Sequence, residues 1–392
     1  MTIRRVAIVT TSRADLSPLL PVMRAVDDHP ALALEVTATG MHLADGHRGS
    51  LADLETAGFA PVAMVETIDG DRPENIGHAM ARGVAGFTER FMNMPPDFLV
   101  VLGDRFDMFP AAIAALPFHI PVAHIHGGEV TVGAFDDQIR HSVSKMAHLH
   151  FVAVTSFSER LIRMGEEPWR ITVCGAPGLD ALVDAPKLDR AVIEDRTGIP
   201  ASQDFTLVTV HPETLSAHSS ESQIDQFLDA AAECPGWLLI TAPNADPGGK
   251  VFRDRLQSFC QARPDALFID NAGPTLYPNL LRHAVAIVGN SSSGIIEAGF
   301  FGKPVVNIGD RQAGRPAGEN VINVPWNTKA IISGWREALS GEAAIRASGA
   351  ESSYGRGDAG TVIAETLAAT ELGPTLLRKS FYDGATERLC NA

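Results

Sequence analysis

At 392 residues the chain is too long for one ordinary hydrophobic core and is expected to form two domains. Its 32 basic and 47 acidic residues give a formal charge of −15, which repels phosphate backbones and anionic membranes, so no nucleic acid and no membrane surface is an expected partner. Four scattered cysteines, Cys174, Cys234, Cys260 and Cys390, form no C-x-x-C pair; they suggest neither a zinc knuckle nor a disulfide framework and fit a reducing cytoplasm.

The N-terminal stretch MTIRRVAIVTTSRADL holds only a six-residue apolar run, too short for a signal peptide, and no later segment approaches a membrane span, so the chain is expected to be soluble and uncleaved. Short Val- and Ile-rich runs then alternate with longer amphipathic stretches, the rhythm of buried parallel strands joined by crossover helices. Strands are expected at residues 5–10, 33–39, 98–102, 122–125, 149–153 and 170–173. After a polar stretch at 184–196 the pattern restarts, with strands expected at 205–210, 237–241, 266–269, 284–288 and 305–308. The fold class is α/β, with two doubly wound halves and ligands at the carboxyl ends of the strands, in a cleft between the halves.

The polar motifs fall at those strand ends: TSRADLSPL, GDRFD, HIHGGE, HPETL, PNADPGG and GNSSSGIIEAG. Any one alone reads as a solvated loop with turn residues, but six together point to a ligand site. In GNSSSGIIEAG, residues Asn290 to Ser293 are expected to cap a helix whose free N–H groups, hydroxyls and glycine-permitted close approach suit a diphosphate. The following DRQAGRPAGEN adds Arg311 and Arg315, planar donors suited to phosphate or ribose. Neither G-x-x-x-x-G-K-[ST] nor G-x-G-x-x-G occurs, which disfavours a P-loop or a dinucleotide site. The segment VAHIHGGEVTVGAFDDQIR concentrates ionisable groups around a Gly-Gly step. His124 with His126, and His148 with His150, have a spacing that could bind metal, but no third ligand accompanies them and no metal or other cofactor is expected.

Taken in order, SRADLSPL, GDRFD, HIHGGEVTVGAFDDQIRHSVSKMAHLHF, VHPETL, PNADPGG, GNSSSGIIEAGFFGKPVVNIGDRQAGR, GENVI and KSFYD closely resemble the hydrolysing UDP-N-acetylglucosamine 2-epimerases, in the branch serving sialic and legionaminic acid synthesis. The resemblance runs from Arg13 to Tyr382 and implies two Rossmann-like domains in a GT-B arrangement. Residues 1–183 would form the sugar and catalytic side, 184–375 the UDP-binding side, and 376–392 a tail packing back on the N-terminal domain. It implies proton abstraction at C2 of the sugar, loss of UDP to give a 2-acetamidoglucal, and hydration to the free C2-epimer of manno type. The substrate would be UDP-GlcNAc or UDP-N,N'-diacetylbacillosamine, and the assembly a homodimer or homotetramer.

By motif match Asp104, Asp137 and His211 fall on catalytic positions, and Arg13, Ser292 and Ser293 on substrate or diphosphate contacts. Glu297 and Arg315 match residues near the nucleotide, and Arg105, Asn244, Ser291 and Gly294 complete the expected binding set. His126 stands where better-known members carry a catalytic glutamate; an imidazole can still pass a proton near neutral pH, or Glu129 can take the role. A GT-B glycosyltransferase is the alternative, but Asp104, His126, Glu129, Asp137 and His211 are more proton-transfer groups than an inverting transferase needs. A nucleotide-sugar sensor would leave the same cluster idle.

Overall fold

The computed structural model describes residues 3–44, 49–67, 73–130, 135–213, 218–243, 248–270, 272–349 and 352–384. The chain divides into two compact units, Met1–Val183 with Gly355–Ala392, and Asp184–Tyr354. No helix among the described residues is long and apolar enough to cross a membrane.

In the first unit the described strands are β1 (Arg4–Thr10), β2 (Leu32–Thr39), β3 (Ala63–Val65), β4 (Phe98–Leu102), β5 (Val122–Ile125), β6 (Leu149–Val152) and β7 (Ile171–Val173). They form one parallel sheet in the order β3-β2-β1-β4-β5-β6-β7. Both faces are covered. Val6 and Ile8 point into a cluster with Leu19, Met23 and Ile363, while Ala7 and Val9 point into another with Phe87 and Phe91. Burial on both sides is why these strands read as unbroken apolar runs rather than alternating ones. The strand order reverses between β1 and β4, so the connections diverge there and leave a crevice outside the carboxyl ends.

The second unit repeats the scheme with β8 (Phe205–Thr209), β9 (Trp237–Thr241), β10 (Ala266–Ile269), β11 (Ala286–Gly289), β12 (Val305–Ile308) and β13 (Val321–Val324), in the order β10-β9-β8-β11-β12-β13 and again parallel. Its switch lies between β8 and β11. Trp335 is fully buried under one face, with Phe227 stacked against it at 6.1 Å between centroids. The α/β class with two doubly wound parallel sheets is therefore as expected. Strands β3 and β13 were not among the expected runs.

The chain returns to the first unit at Gly355, earlier than the expected residue 376. The helix Ala359–Ala369 buries Ala359, Ile363, Ala364 and Leu367 against Leu19, Val22 and Met23 of the first unit. Its amino end is held by Asp180, whose carboxylate accepts from the backbone N–H of Ala359 at 3.2 Å and Gly360 at 2.7 Å. Gly360 meets the helix Arg13–Asp27 so closely that a Cβ would lie 2.7 Å from the Pro21 carbonyl oxygen. A C-terminal segment is thus part of the N-terminal core. Ile363→Ala is expected to destabilise the first unit by about 2–5 kcal/mol, as for other buried large-to-small changes. Hydrogen exchange should then quicken in β1 and β4 but not in β8 and β11; quickening confined to the second unit would contradict the assignment.

Candidate functional site

In the first unit the polar residues gather where β1, β4 and β5 end. β1 runs into Thr11 and Ser12, and the helix beginning at Arg13 places Asp15 one turn in. The Asp15 carboxylate, almost fully buried, accepts from Thr10 Oγ1 (2.8 Å), Thr11 N (2.7 Å), Thr11 Oγ1 (2.9 Å) and Ser12 Oγ (2.6 Å). This knot ties down the β1 turn. It was not singled out from sequence, although Ser-x-x-Asp before an apolar run is a capping signature. Arg105 is drawn into the same turn. Its guanidinium donates twice to Asp107, at 3.0 and 2.9 Å, and to Thr11 Oγ1 at 3.1 Å, which leaves about a third of the side chain open.

After β4, Gly103 turns the chain at φ +75° and Asp104 follows. The Asp104 carboxylate accepts from Arg140 of the helix Asp136–Met146, and Arg140 Nη1 stands 4.0 Å from Asp137 Oδ1. Arg140 is only 7% exposed, and its Nε and Nη1 find no hydrogen-bond partner among the described residues, the Asp137 contact being an ion pair without a hydrogen bond. One buried guanidinium thus joins the two expected catalytic aspartates. Arg140 was quoted in its motif but not selected; its place three residues after Asp137 on a helix was the available signal. Burial raises the Asp104 carboxyl above the ordinary carboxylate range; Arg140 opposes this, while Asp136 and Glu129 reinforce it.

β5 ends at Ile125, and His126 takes a left-handed conformation at φ +64°, uncommon for a residue with a Cβ. Its Nδ1 lies 2.6 Å from Glu129 Oε1. The Gly-Gly step between them is needed for space: a Cβ on Gly127 would meet His124 Nδ1 at 3.0 Å, and one on Gly128 the Phe157 carbonyl oxygen at 2.6 Å. His124 is completely buried, with Nε2 at 2.7 Å from the Gly103 carbonyl oxygen and Nδ1 at 3.1 Å from Ser144 Oγ. Burial pushes His124 down to about 3, so the neutral ring donates from Nε2 and accepts at Nδ1. The other histidine pair is also occupied. His148 Nδ1 accepts from Val122 N at 3.1 Å, and His150 Nε2 lies 2.9 Å from Glu166.

In the second unit the corresponding ends are those of β8, β11 and β12. Gly289 closes β11 at φ +146°, where a Cβ would sit 1.8 Å from the Thr209 carbonyl oxygen, so only glycine fits. The fully buried Asn290 next to it does not cap a helix. Its amide Oδ1 accepts from His211 N at 2.7 Å and its Nδ2 donates to His211 O at 2.9 Å, fixing the backbone of the HPET turn. The cap is Ser291, and the helix Ser292–Ile296 is five residues long. Ser293 Oγ accepts from Tyr277 at 2.7 Å and donates to Glu297 Oε2 at 2.7 Å. Burial raises both the Tyr277 phenol and the Glu297 carboxyl above their ordinary ranges.

Glu213 braces the turn after β12, where Oε1 accepts from Asp310 N and Arg311 N, each at 2.9 Å. Gln312 Nε2 donates to the Asn290 carbonyl at 2.9 Å. Buried Gln312 Oε1 and Arg315 Nη1 lack hydrogen-bond partners among the described residues. Tyr277 and Glu213 were missed from sequence, where nothing connects them to the serine run. Gly294 packs under β12, a Cβ there lying 3.2 Å from Val305. Asn244 and the Arg13 side chain lie outside what the structure describes.

The family profile described as UDP-N-acetylglucosamine 2-epimerase matches residues 24–368. A relative from Legionella pneumophila, a hydrolysing UDP-N,N'-diacetylbacillosamine 2-epimerase, is 35% identical over 86% of this chain and 89% of its own. A hydrolysing GDP/UDP-N,N'-diacetylbacillosamine 2-epimerase of Campylobacter jejuni is 34% identical over 82% and 85%. Among solved structures, the Neisseria meningitidis UDP-GlcNAc 2-epimerase bound to UDP-GlcNAc has a TM-score of 0.77 at 20% identity, covering 93% of this chain and all of that one. Sequence profile, relatives and fold agree over nearly the same residues, and this chain belongs to the UDP-N-acetylglucosamine 2-epimerase family.

Proposed function

We propose that the chain is a hydrolysing C2-epimerase of a UDP-2-acetamido sugar. UDP-N,N'-diacetylbacillosamine is the first candidate, since two relatives carry that name, and UDP-GlcNAc is the other. The observation that supports this best is the joining of Asp104, Arg140 and Asp137 at the end of β4, with the His126–Glu129 pair following β5.

The reaction removes the C2 proton to a protein base. The C2–H electron pair becomes the C1=C2 bond of a 2-acetamidoglucal, and the C1–O bond breaks with its electrons leaving on UDP. Water then adds its oxygen to C1 while C2 is reprotonated from the opposite face, so the sum is UDP-sugar plus water giving UDP and the free manno-type epimer. Glu129 fixes the His126 tautomer at Nδ1 and leaves Nε2 as the proton-carrying atom. Asp104 and Asp137, held by one guanidinium, serve as the second proton carrier and its electrostatic partner, with His211 the remaining catalytic group. Ser291, Ser292, Ser293, Gly294, Glu297 and Arg315, with Asn244, Arg13 and Arg105, are proposed to bind the nucleotide sugar. A role in nonulosonic acid synthesis, a cytoplasmic setting and a homodimer or homotetramer complete the reading. The free thiols of buried Cys174 and Cys234 and of half-buried Cys260 support a reducing compartment.

Incubation with either UDP-sugar and no acceptor is expected to release UDP and a free amino sugar, and in deuterium oxide the sugar is expected to carry one deuterium at C2. A product without deuterium would exclude C2 proton exchange. Side-by-side turnover of the two substrates identifies the sugar.

Asp104→Asn and His126→Gln are each expected to lower kcat by at least about 100-fold with UDP still bound, the scale of a general acid or base. His126→Glu should regain part of the loss. If His126→Gln turns over within about tenfold of native, the scale of one neutral hydrogen bond, while Glu129→Gln is dead, the proton-carrying role moves to Glu129.

Because the Asp104 carboxyl titrates above the ordinary range, kcat is expected to fall with decreasing pH through a midpoint higher than a free aspartate's. Arg140→Gln removes the cation that opposes this shift, so the acid limb should move to still higher pH. A limb that stays put or moves down in the variant would show that Asp104 is not the titrating group.

A further inference from the structure

The helix Asp136–Met146 ends against the C-terminal segment. Lys379 Nζ donates to the carbonyl oxygens of Lys145 at 2.9 Å and Ala147 at 2.5 Å, with Ser144 O at 3.5 Å, and lies 2.7 Å from Glu166 Oε2. The last carbonyls of a helix have no intrahelical donor and form the negative end of its dipole, so an ammonium there both satisfies and attracts them. The segment that carries Lys379 is itself anchored. Buried Arg170 donates to the carbonyls of Leu376 (2.8 Å), Thr375 (3.1 Å) and Arg378 (3.0 Å), and Tyr382 N donates to Gly165 O at 2.9 Å. At Gly165 a Cβ would lie 2.4 Å from the Phe381 ring, so the ring seats directly on the backbone. Glu166, wholly buried, gathers Lys379, Lys145 Nζ (2.6 Å) and His150 Nε2 (2.9 Å).

The same helix reaches the proposed proton-transfer groups in two ways. Arg140 binds Asp104, and Ser144 Oγ meets His124, whose other ring nitrogen donates to the carbonyl of Gly103, the residue before Asp104. Ser144 therefore offers its hydroxyl to the Asp104 turn while its carbonyl lies at the edge of Lys379's reach. A helix of eleven residues spans about 16 Å at 1.5 Å per residue, so a shift at its carboxyl end is carried to Arg140. Misplacement of catalytic groups by 1 Å can cost about 100-fold in rate.

We propose that Lys379 is a positioning residue for the reaction. It docks the carboxyl end of the Asp136–Met146 helix so that Arg140 and Ser144 hold Asp104 in its working place. The inference rests on the epimerase reading above. Removing the amine strands no carboxylate, because Glu166 keeps Lys145 and His150, so K379M is expected to fold.

The test uses full-length K379M and K379R, with activity normalised to folded protein, and measures kcat, KM, UDP affinity and Tm. K379M is expected to lower kcat at least about tenfold while KM and UDP affinity stay within about threefold, and K379R, which keeps the cation, is expected to recover most of the rate. A kcat for K379M within about twofold of native, whatever its Tm, would overturn the proposal; so would K379R as slow as K379M. If K379M does not fold, Lys379→Ala, which likewise removes both the donor and the charge, takes its place with the same two outcomes. Failure of the epimerase reading shows up separately: the native enzyme would then release no UDP and free sugar from either substrate.

Discussion

A guanidinium buried to the extent of Arg140 costs several kcal/mol in lost hydration unless carboxylates compensate it. That requirement links the strand-end turns of the first unit. Asp104 must face the helix Asp136–Met146 because its partner is there, and the helix must lie where β4 ends because Arg140 is too short of water to point elsewhere. Asp137, one turn back, lies 4.0 Å from the same guanidinium. The arrangement brings two like charges near one another without stranding either. Replacing Arg140 alone leaves Asp104 half-buried beside Asp136 and Glu129, a surplus of negative charge that the turn is not otherwise built to hold.

Around this charge balance the backbone is held by neutral contacts that leave little freedom. His124, unprotonated at any working pH, bridges the Gly103 carbonyl and Ser144. Gly127 and Gly128 let the turn after β5 pass so close to His124 and Phe157 that side chains there would collide. The second unit solves the same topological problem with an amide. Asn290 closes a two-bond ring with the backbone of His211, and Gly289 allows β11 to press on Thr209. In both units, then, the carboxyl ends at the strand-order switch are fixed by residues that do no chemistry themselves, and the ionisable groups ride on turns already made rigid.

The strands were legible because burial on both faces writes Val and Ile continuously, as in Phe205–Thr209, and the second unit announced itself by repeating the rhythm. Edge strands carry no such run. Ala63–Val65 is three residues with Met64 exposed, and Val321–Val324 is only partly buried, so neither stood out. The return at Gly355 was invisible for a different reason: the apolar face of Ala359–Ala369 declares that it packs, not on which sheet, and the deciding contacts with Asp180 and Pro21 lie more than 170 residues away. The site shows the same division. Asp104, Asp137 and His126 could be named because they sit in dense polar motifs at strand ends. Arg140, Asp15 and Tyr277 gain their meaning from partners that only the fold supplies, and Arg105, expected to bind ligand, commits its Nε and one Nη2 hydrogen to Asp107 and Thr11.

The imidazole at position 126 fits the electrostatics of this particular turn. A glutamate there would put a second carboxylate within three residues of Glu129 and close to Asp104, and like charges so near raise one another's pKa until one is protonated. Asp104 already stands above its ordinary range, and His126 acts on it in the opposite sense to Glu129. Histidine turns what would be a like-charge pair into a hydrogen-bonded one at 2.6 Å, and it is among the few side-chain-bearing residues that tolerate the left-handed backbone this turn imposes. With an imidazole at position 126 the turn carries one fewer negative charge beside Asp104, whose carboxyl pKa burial already raises.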